Sequence, residues 1–255
     1  MPSDSIAAYD LPSRVASYDR DMELMHPNRS KMVDITLEIV SSEQSGPSHA
    51  LELGCGTGYF TKRFLENFPS FEVLAIDGAQ AMVDLAKVRL GKLAERVDFK
   101  LGDFRDLPKL IPGKTRVSVV FSSFALHHLN RVEKIELIQQ SIRFLEPGGW
   151  FINADIVKGE SELIEKRIQE IRVQGILRRA AGKDERFQNA QSIRQFLRDL
   201  EARDRDQPQT LGEDLHICRE AGLASASIFW SEYREVVYGG VKPGPPLEAE
   251  SKREL

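Results

Sequence analysis

Residues 50–60 constrain this chain more than any other stretch: Ala50-Leu51-Glu52-Leu53-Gly54-Cys55-Gly56-Thr57-Gly58-Tyr59-Phe60. An apolar run ends in glycines at alternate positions, and a helical pattern follows at Phe60, Phe64, Leu65 and Phe68. That reads as a buried strand, a tight turn and a helix N-terminus, an arrangement in which backbone can come close to a ligand. The spacing is GxGxG and so departs from the GxGxxG of dinucleotide-binding turns. Glu52 lies inside the strand on the face of Gly54, while Leu51 and Leu53 are expected to point into the core.

Two more acids follow apolar runs. Val73-Leu74-Ala75-Ile76 ends in Asp77, nineteen residues after Gly58, and the run from Val97 to Leu101 leads to Asp103. An acid ending the second strand of such a fold takes the hydroxyls of a ribose. Asp103, after a third strand, is placed to receive the amino group of an adenine. Each acid alone reads equally well as a helix N-cap or a turn carboxylate. Three in register at strand ends are hard to explain that way.

The set LELGCGTG, VLAIDGAQAMVDLA, LGDF, VVFSSFALHHL and LEPGGWFINAD resembles the motif series of class I S-adenosylmethionine-dependent methyltransferases. The resemblance covers roughly residues 48–157 and returns in the last strands. It implies a Rossmann-like α/β fold: a seven-stranded, mostly parallel sheet with a C-terminal antiparallel hairpin and a helical lid. It also implies S-adenosyl-L-methionine as cofactor, held by Glu52, Gly54, Cys55, Gly56 and Gly58, then by Asp77, Gly78 and Met82, and then by Asp103, Phe104 and Ser122. Tyr18 and Arg29, before the first strand, are candidates to close over the methionine end, with Met22, Met25 and His26 beside them. The alternative for the aromatic and Met residues is ordinary core packing.

Acceptor chemistry is expected near His127, His128 and Asp155. Either histidine has an unperturbed pKa suited to a general base; alternatively both cap the next helix or fill a polar corner. Asp155, ending the fifth strand, orients an acceptor or holds a loop. No metal site is read from residue spacing.

The chain divides into a helical cap (1–47), a cofactor-binding core (48–158), a helical lid insertion (159–209), a closing helix and strands (210–240) and a disordered tail (241–255). The first dozen residues read as polar and loosely held, with Tyr9 able to dock. Between Arg172 and Arg186 five basic residues face two acidic ones, which points to an anionic partner only weakly. A net charge of −4 argues against a broad nucleic-acid surface. The two cysteines, Cys55 and Cys218, lack disulfide or metal spacing, as expected of a reduced, cytoplasmic protein. No apolar run of about 18 residues predicts a membrane span, and a homodimer stays open.

The resemblance implies methyl transfer to a small-molecule O, N or C nucleophile. No Asn-Pro-Pro-Tyr signature follows the fourth strand, and the cysteines of thiol-dependent methylases are missing. A second reading is similarity to carboxy-S-adenosylmethionine synthases of tRNA wobble-uridine modification, whose carboxylate-holding arginine falls near Gln207, with Arg203 and Arg205 close by. A third is a non-catalytic cofactor-binding protein. A nicotinamide-dependent reductase is weakest, because the glycine spacing is wrong.

Overall fold

A computed structural model describes residues 4–40 and 48–244. The expected loop at 41–47 and most of the expected tail, from 245 on, lie outside the described residues. Seven strands form one sheet in the order β3-β2-β1-β4-β5-β7-β6. They are β1 (Ser48–Leu53), β2 (Phe71–Asp77), β3 (Val97–Leu101), β4 (Val117–Ser123), β5 (Leu145–Ile156), β6 (Ala224–Glu232) and β7 (Glu235–Val241). β1 to β5 run parallel, while β7 is antiparallel to both β5 and β6. The order reverses beside β1, where β4 takes its other edge, and ligands of open parallel sheets bind at the carboxyl ends of the strands at such a point.

Both faces of the parallel strands are covered, so the core lies on both sides of β1. Leu51 and Leu53 join one apolar cluster, Ala50 joins the other, and Glu52 is buried with them. The expected division into a core face and a ligand face therefore holds only past the strand's end. Along the chain run α1 (Asp4–Tyr9), α2 (Pro12–Met25), α3 (Arg29–Ile39), α4 (Tyr59–Asn67), α5 (Gln80–Leu90), α6 (Leu107–Leu110) and α7 (Arg131–Phe144). α8 (Glu162–Ala180), α9 (Ala190–Asp204) and α10 (Leu211–Glu220) follow. Helices α2 to α5 fill one face through residues such as Met32, Phe64 and Met82, and α6, α7 and α10 the other through Leu107, Leu137 and Ile217.

The inserted helices α8 and α9 make a third cluster around Ile176, Phe187, Ile193 and Leu197, into which Met25 of α2 is packed. The N-terminal stretch expected to be loose contains α1, whose Ile6 lies against Gly78 and whose Tyr9 docks on His128. Its anchors are long-range contacts, which a polar local sequence does not reveal. Among the described residues no helix is long and apolar enough to cross a membrane.

Candidate functional site

The glycine turn builds the floor of a cavity at the carboxyl edge of β1, β2 and β4. Gly56 has φ +51°, and a side chain there would project into open space, with only the Tyr18 hydroxyl at 4.0 Å. Its N–H donates to Asp77 Oδ2 at 2.7 Å, which ties the turn to the end of β2. Gly58 differs: it caps α4, and a Cβ there would come 2.9 Å from Ala86 of α5. It lets two helices pack and does not line the cavity, which corrects the expectation of direct cofactor contact.

Asp77, Gly78, Ala79, Met82, Asp103 and Phe104 line one end of the cavity. Asp77 Oδ1 also accepts the Ala79 N–H at 2.9 Å. Burial raises the Asp77 carboxyl above its usual value, with the backbone N–H groups of Ala79 and Gly56 pulling the other way. Asp103 lies at the cavity wall but also caps a short 3₁₀ turn and grips the Arg105 guanidinium at 2.5 Å. The capping reading of this acid is therefore seen directly, at a position that also borders the cavity.

An adjoining pocket, which shares Tyr18, Gly54, Gly56 and Phe124 with this cavity, is lined further by Met22, Arg29, Glu52, Cys55 and Thr57. The Arg29 guanidinium lies 3.9 Å from the Tyr59 ring centre and donates to Asp19 at 3.1 Å. Asp19 also holds Arg89 at 2.5 Å. Arg29 begins α3, where the helix dipole disfavours a cation, and the carboxylate and the aromatic face offset this. Glu52, 1 % exposed, accepts the Thr61 hydroxyl at 2.5 Å. Burial pushes its carboxyl up to about 8. Met25 and His26 turn away from the cavity: Met25 packs with the inserted helices, and His26 bonds Glu235 at 3.1 Å.

β4 continues two residues past its apolar run at 117–121, to Ser123. Ser122, fully buried, donates its hydroxyl to the Leu53 carbonyl at 2.8 Å, and Ser123 lines the cavity in its place. Phe124 follows at φ +50° and lines both the cavity and the adjoining pocket. A left-handed non-glycine residue stores strain of the kind that collects at functional sites. Nothing in a single sequence marks it.

The three acceptor-side candidates do different things. His128 faces the cavity, its Nε2 3.2 Å from the Tyr9 hydroxyl. His127 is buried behind it, with Nδ1 2.6 Å from Asp155 Oδ1, while its backbone N–H donates to Asp155 Oδ2 at 3.0 Å. Asp155 therefore holds the histidine loop and does not reach the cavity, which corrects the acceptor-orienting alternative. Burial opposes its charge, yet His127 and Lys134 bring it down to about 2. Burial also works against a charged His127, but Asp155 and Asp206 together raise its pKa; burial and then His127 lower that of His128. Neither histidine caps α7. Asn130 does, in a capping box with Glu133. Ile6, Tyr9 and Leu129 complete the wall and were not singled out as lining residues by the sequence; the first two belong to α1, which reaches the site only through the fold.

Fold and cavity together define a protein built to hold an adenosine-bearing cofactor at the switch point of a parallel sheet. A methyltransferase-domain family model matches residues 50–149. A demethylmenaquinone methyltransferase of Leptospira interrogans is 36 % identical over 122 residues, 47 % of each chain. An uncharacterized methyltransferase of Geobacillus sp. strain WCH70 is 30 % identical over 161 residues, 63 % of this chain and 69 % of that one. The match spans about half the length of the first of these relatives. An O-methyltransferase family protein from Burkholderia thailandensis superposes with a TM-score of 0.64 at 16 % identity, over 93 % of this chain and 62 % of that one. The DhpI–SAH complex superposes with 0.59 at 18 %, over 95 % and 96 %. The chain belongs to the class I S-adenosylmethionine-dependent methyltransferases.

The residues present fit that family's cofactor. Gly56 leaves open a space that any Cβ would begin to fill, Asp77 offers a carboxylate beside it, and Met82, Ala79 and Phe104 give apolar surface for a flat base. The cation expected near Gln207 in the carboxylated-cofactor reading is replaced by an amide, which donates to the His128 carbonyl at 3.1 Å.

Proposed function

We propose that this chain transfers the methyl group of S-adenosylmethionine to a small molecule seated between Tyr9, Phe124 and His128. The observation that carries the reading is the continuity of one cavity from Asp77 and Asp103, past Gly54 and Ser123, to Tyr9, His128 and Leu129. When bound, the cofactor supplies a methyl carbon already activated by its sulfonium. What falls to the protein is alignment and exclusion of water.

Asp77 receives the ribose hydroxyls, Asp103 and Met82 flank the base, and Arg29 with Glu52 faces the amino-acid end. On the acceptor side the wall is largely apolar, from Ile6, Phe124, Ala125 and Leu129, with Tyr9 and His128 as its polar groups. That lining suits a flat or hydrophobic acceptor carrying one hydrogen-bonding group. His128 and the Tyr9 hydroxyl orient that group, and His127 and Asp155 fix the loop that presents His128.

The test is mass spectrometry of the small molecule that co-purifies with the protein, followed by incubation with cofactor carrying an isotopic methyl and a panel of hydrophobic phenols, amines and quinols. S-adenosylmethionine or its demethylated product, with label passing to a member of the panel, is the expected result. Tight cofactor binding with no transfer to any acceptor class would favour the non-catalytic alternative. A carboxylated cofactor would favour the tRNA-modification one.

A further inference from the structure

We propose that His127, His128 and Asp206 form a binding site for one divalent transition-metal ion, of which Zn²⁺ is the best match. Asp206 follows α9 in the inserted segment, so the ion would fasten that segment to the loop after β4.

Three donor atoms converge there. Asp206 Oδ1 lies 3.0 Å from His128 Nδ1 and 3.6 Å from His127 Nε2, and all three atoms fall within 4.8 Å of one another. Zinc bonds of about 2.0–2.1 Å at tetrahedral angles leave neighbouring ligands roughly 3.3 Å apart, close to these separations. His128 Nδ1 and Asp206 Oδ1 are both buried, and at 3.0 Å they are in direct contact.

The surroundings have the form of an outer shell. A metal-ligating histidine characteristically gives its other ring nitrogen to a carboxylate or another polar group, which fixes ring and tautomer. Here His127 Nδ1 meets Asp155 at 2.6 Å, and His128 Nε2 meets the Tyr9 hydroxyl at 3.2 Å. Both rings thereby turn their remaining nitrogens toward Asp206. The Gln207 N–H donates to the His127 carbonyl at 2.7 Å, so the backbone already holds the third ligand in place. Two imidazoles and one carboxylate suit zinc and its late first-row neighbours and are a poor set for magnesium or calcium. Three protein ligands leave one position for water.

This inference stands apart from the identity of the acceptor, and binding is its readout. The untagged full chain is stripped with chelator, dialysed and titrated with Zn²⁺ by calorimetry, and with Co²⁺ by visible absorption. One equivalent should bind, with the intense bands of four-coordinate cobalt. Asp206→Asn should weaken binding by more than the roughly 10–100-fold that loss of an outer-shell partner brings, and Asp155→Asn should fall within that range. Asp106→Asn, on the surface, serves as a control and should bind as wild type does. Cooperative thermal unfolding of each variant separates metal loss from misfolding. A wild-type chain that takes up no metal, or an Asp206→Asn chain that binds as tightly and shows the same cobalt spectrum, would overturn the assignment.

Discussion

Gly56 and Asp77 are joined by a 2.7 Å hydrogen bond from backbone N–H to carboxylate, so the glycine turn and the end of β2 form one unit. The acid has two tasks, since it also accepts the Ala79 N–H at the mouth of α5. Asp77→Ala should therefore lower cofactor affinity roughly 10-fold or more and lower stability by about 1–3 kcal/mol, as expected when hydrogen bonds to a charged group are lost. Calorimetric titration with S-adenosylmethionine and urea unfolding read the two effects separately. Affinity equal to wild type would remove Asp77 from the ribose assignment.

Gly56 itself is constrained twice, by a positive φ and by the ligand's space. Gly56→Val places a branched side chain in the left-handed region, at about 1–3 kcal/mol of strain, and fills the cavity in front of Tyr18. Cofactor binding should fall below detection while the protein still folds. A folded Gly56→Val variant that binds the cofactor normally would show that the ligand lies elsewhere.

How far such sites could be foreseen depended on the kind of signal. The parallel strands were legible because strands covered on both faces are continuous apolar runs, as at 73–76 and 117–121. The glycine turn and the acids after β2 and β3 were legible because their chemistry is local. Ser122 and Ser123 were confused because the run 117–121 does not show that the strand continues through both, and neighbouring strand residues point to opposite faces. Tyr9 and Asp206 reach the His127–His128 pair only through tertiary packing, and no spacing in the chain encodes that.

His26 carries a pH dependence. Burial brings its pKa down to about 4, outweighing the Glu235 carboxylate at 3.1 Å. The unfolded chain, with an ordinary histidine near 6.5, therefore takes up a proton that the folded chain refuses between about pH 6.5 and 4. His26 should not penalise folding above that window. Stability should decline as pH falls through it, by at most about 1.4 kcal/mol per pH unit from this residue. Urea unfolding of wild type and His26→Gln across the window tests this. The variant should show the shallower decline, and parallel curves would refute the role.

Of the candidates His127, His128 and Asp155, His128 lines the cavity and the other two do not, nor does Ser122 from the cofactor set. His128→Ala should leave cofactor affinity within a few-fold of wild type and reduce kcat on any acceptor identified by about 10²-fold, the lower end of what a positioned polar group contributes. Ser122→Ala should instead act on stability, through its lost bond to the Leu53 carbonyl. Equal turnover by wild type and His128→Ala would assign the orienting role to Tyr9 alone.

Lys134 and Asp214 pair at 2.7 Å between α7 and α10, each with its side chain 1 % exposed. Removing two charges from water is expensive, and the pair recovers that only while both partners are present. Burial raises the Asp214 carboxyl, and Lys134, with a smaller contribution from the Tyr238 hydroxyl, pulls it back. Leu137, Ile217 and Cys218 of the surrounding cluster are apolar, and Tyr238, which also bonds the Asp214 carboxyl, supplies no positive charge to replace Lys134. Lys134→Met should thus destabilise by about 3–5 kcal/mol, the usual consequence of breaking a buried pair from one side. Adding Asp214→Leu should restore most of the loss, since replacing both members with apolar groups is often neutral or stabilising. Denaturant unfolding of the two single variants and the double variant forms the cycle. If the double variant were as unstable as the sum of the singles, the charges would be acting independently and the pair would not be what joins α7 to α10.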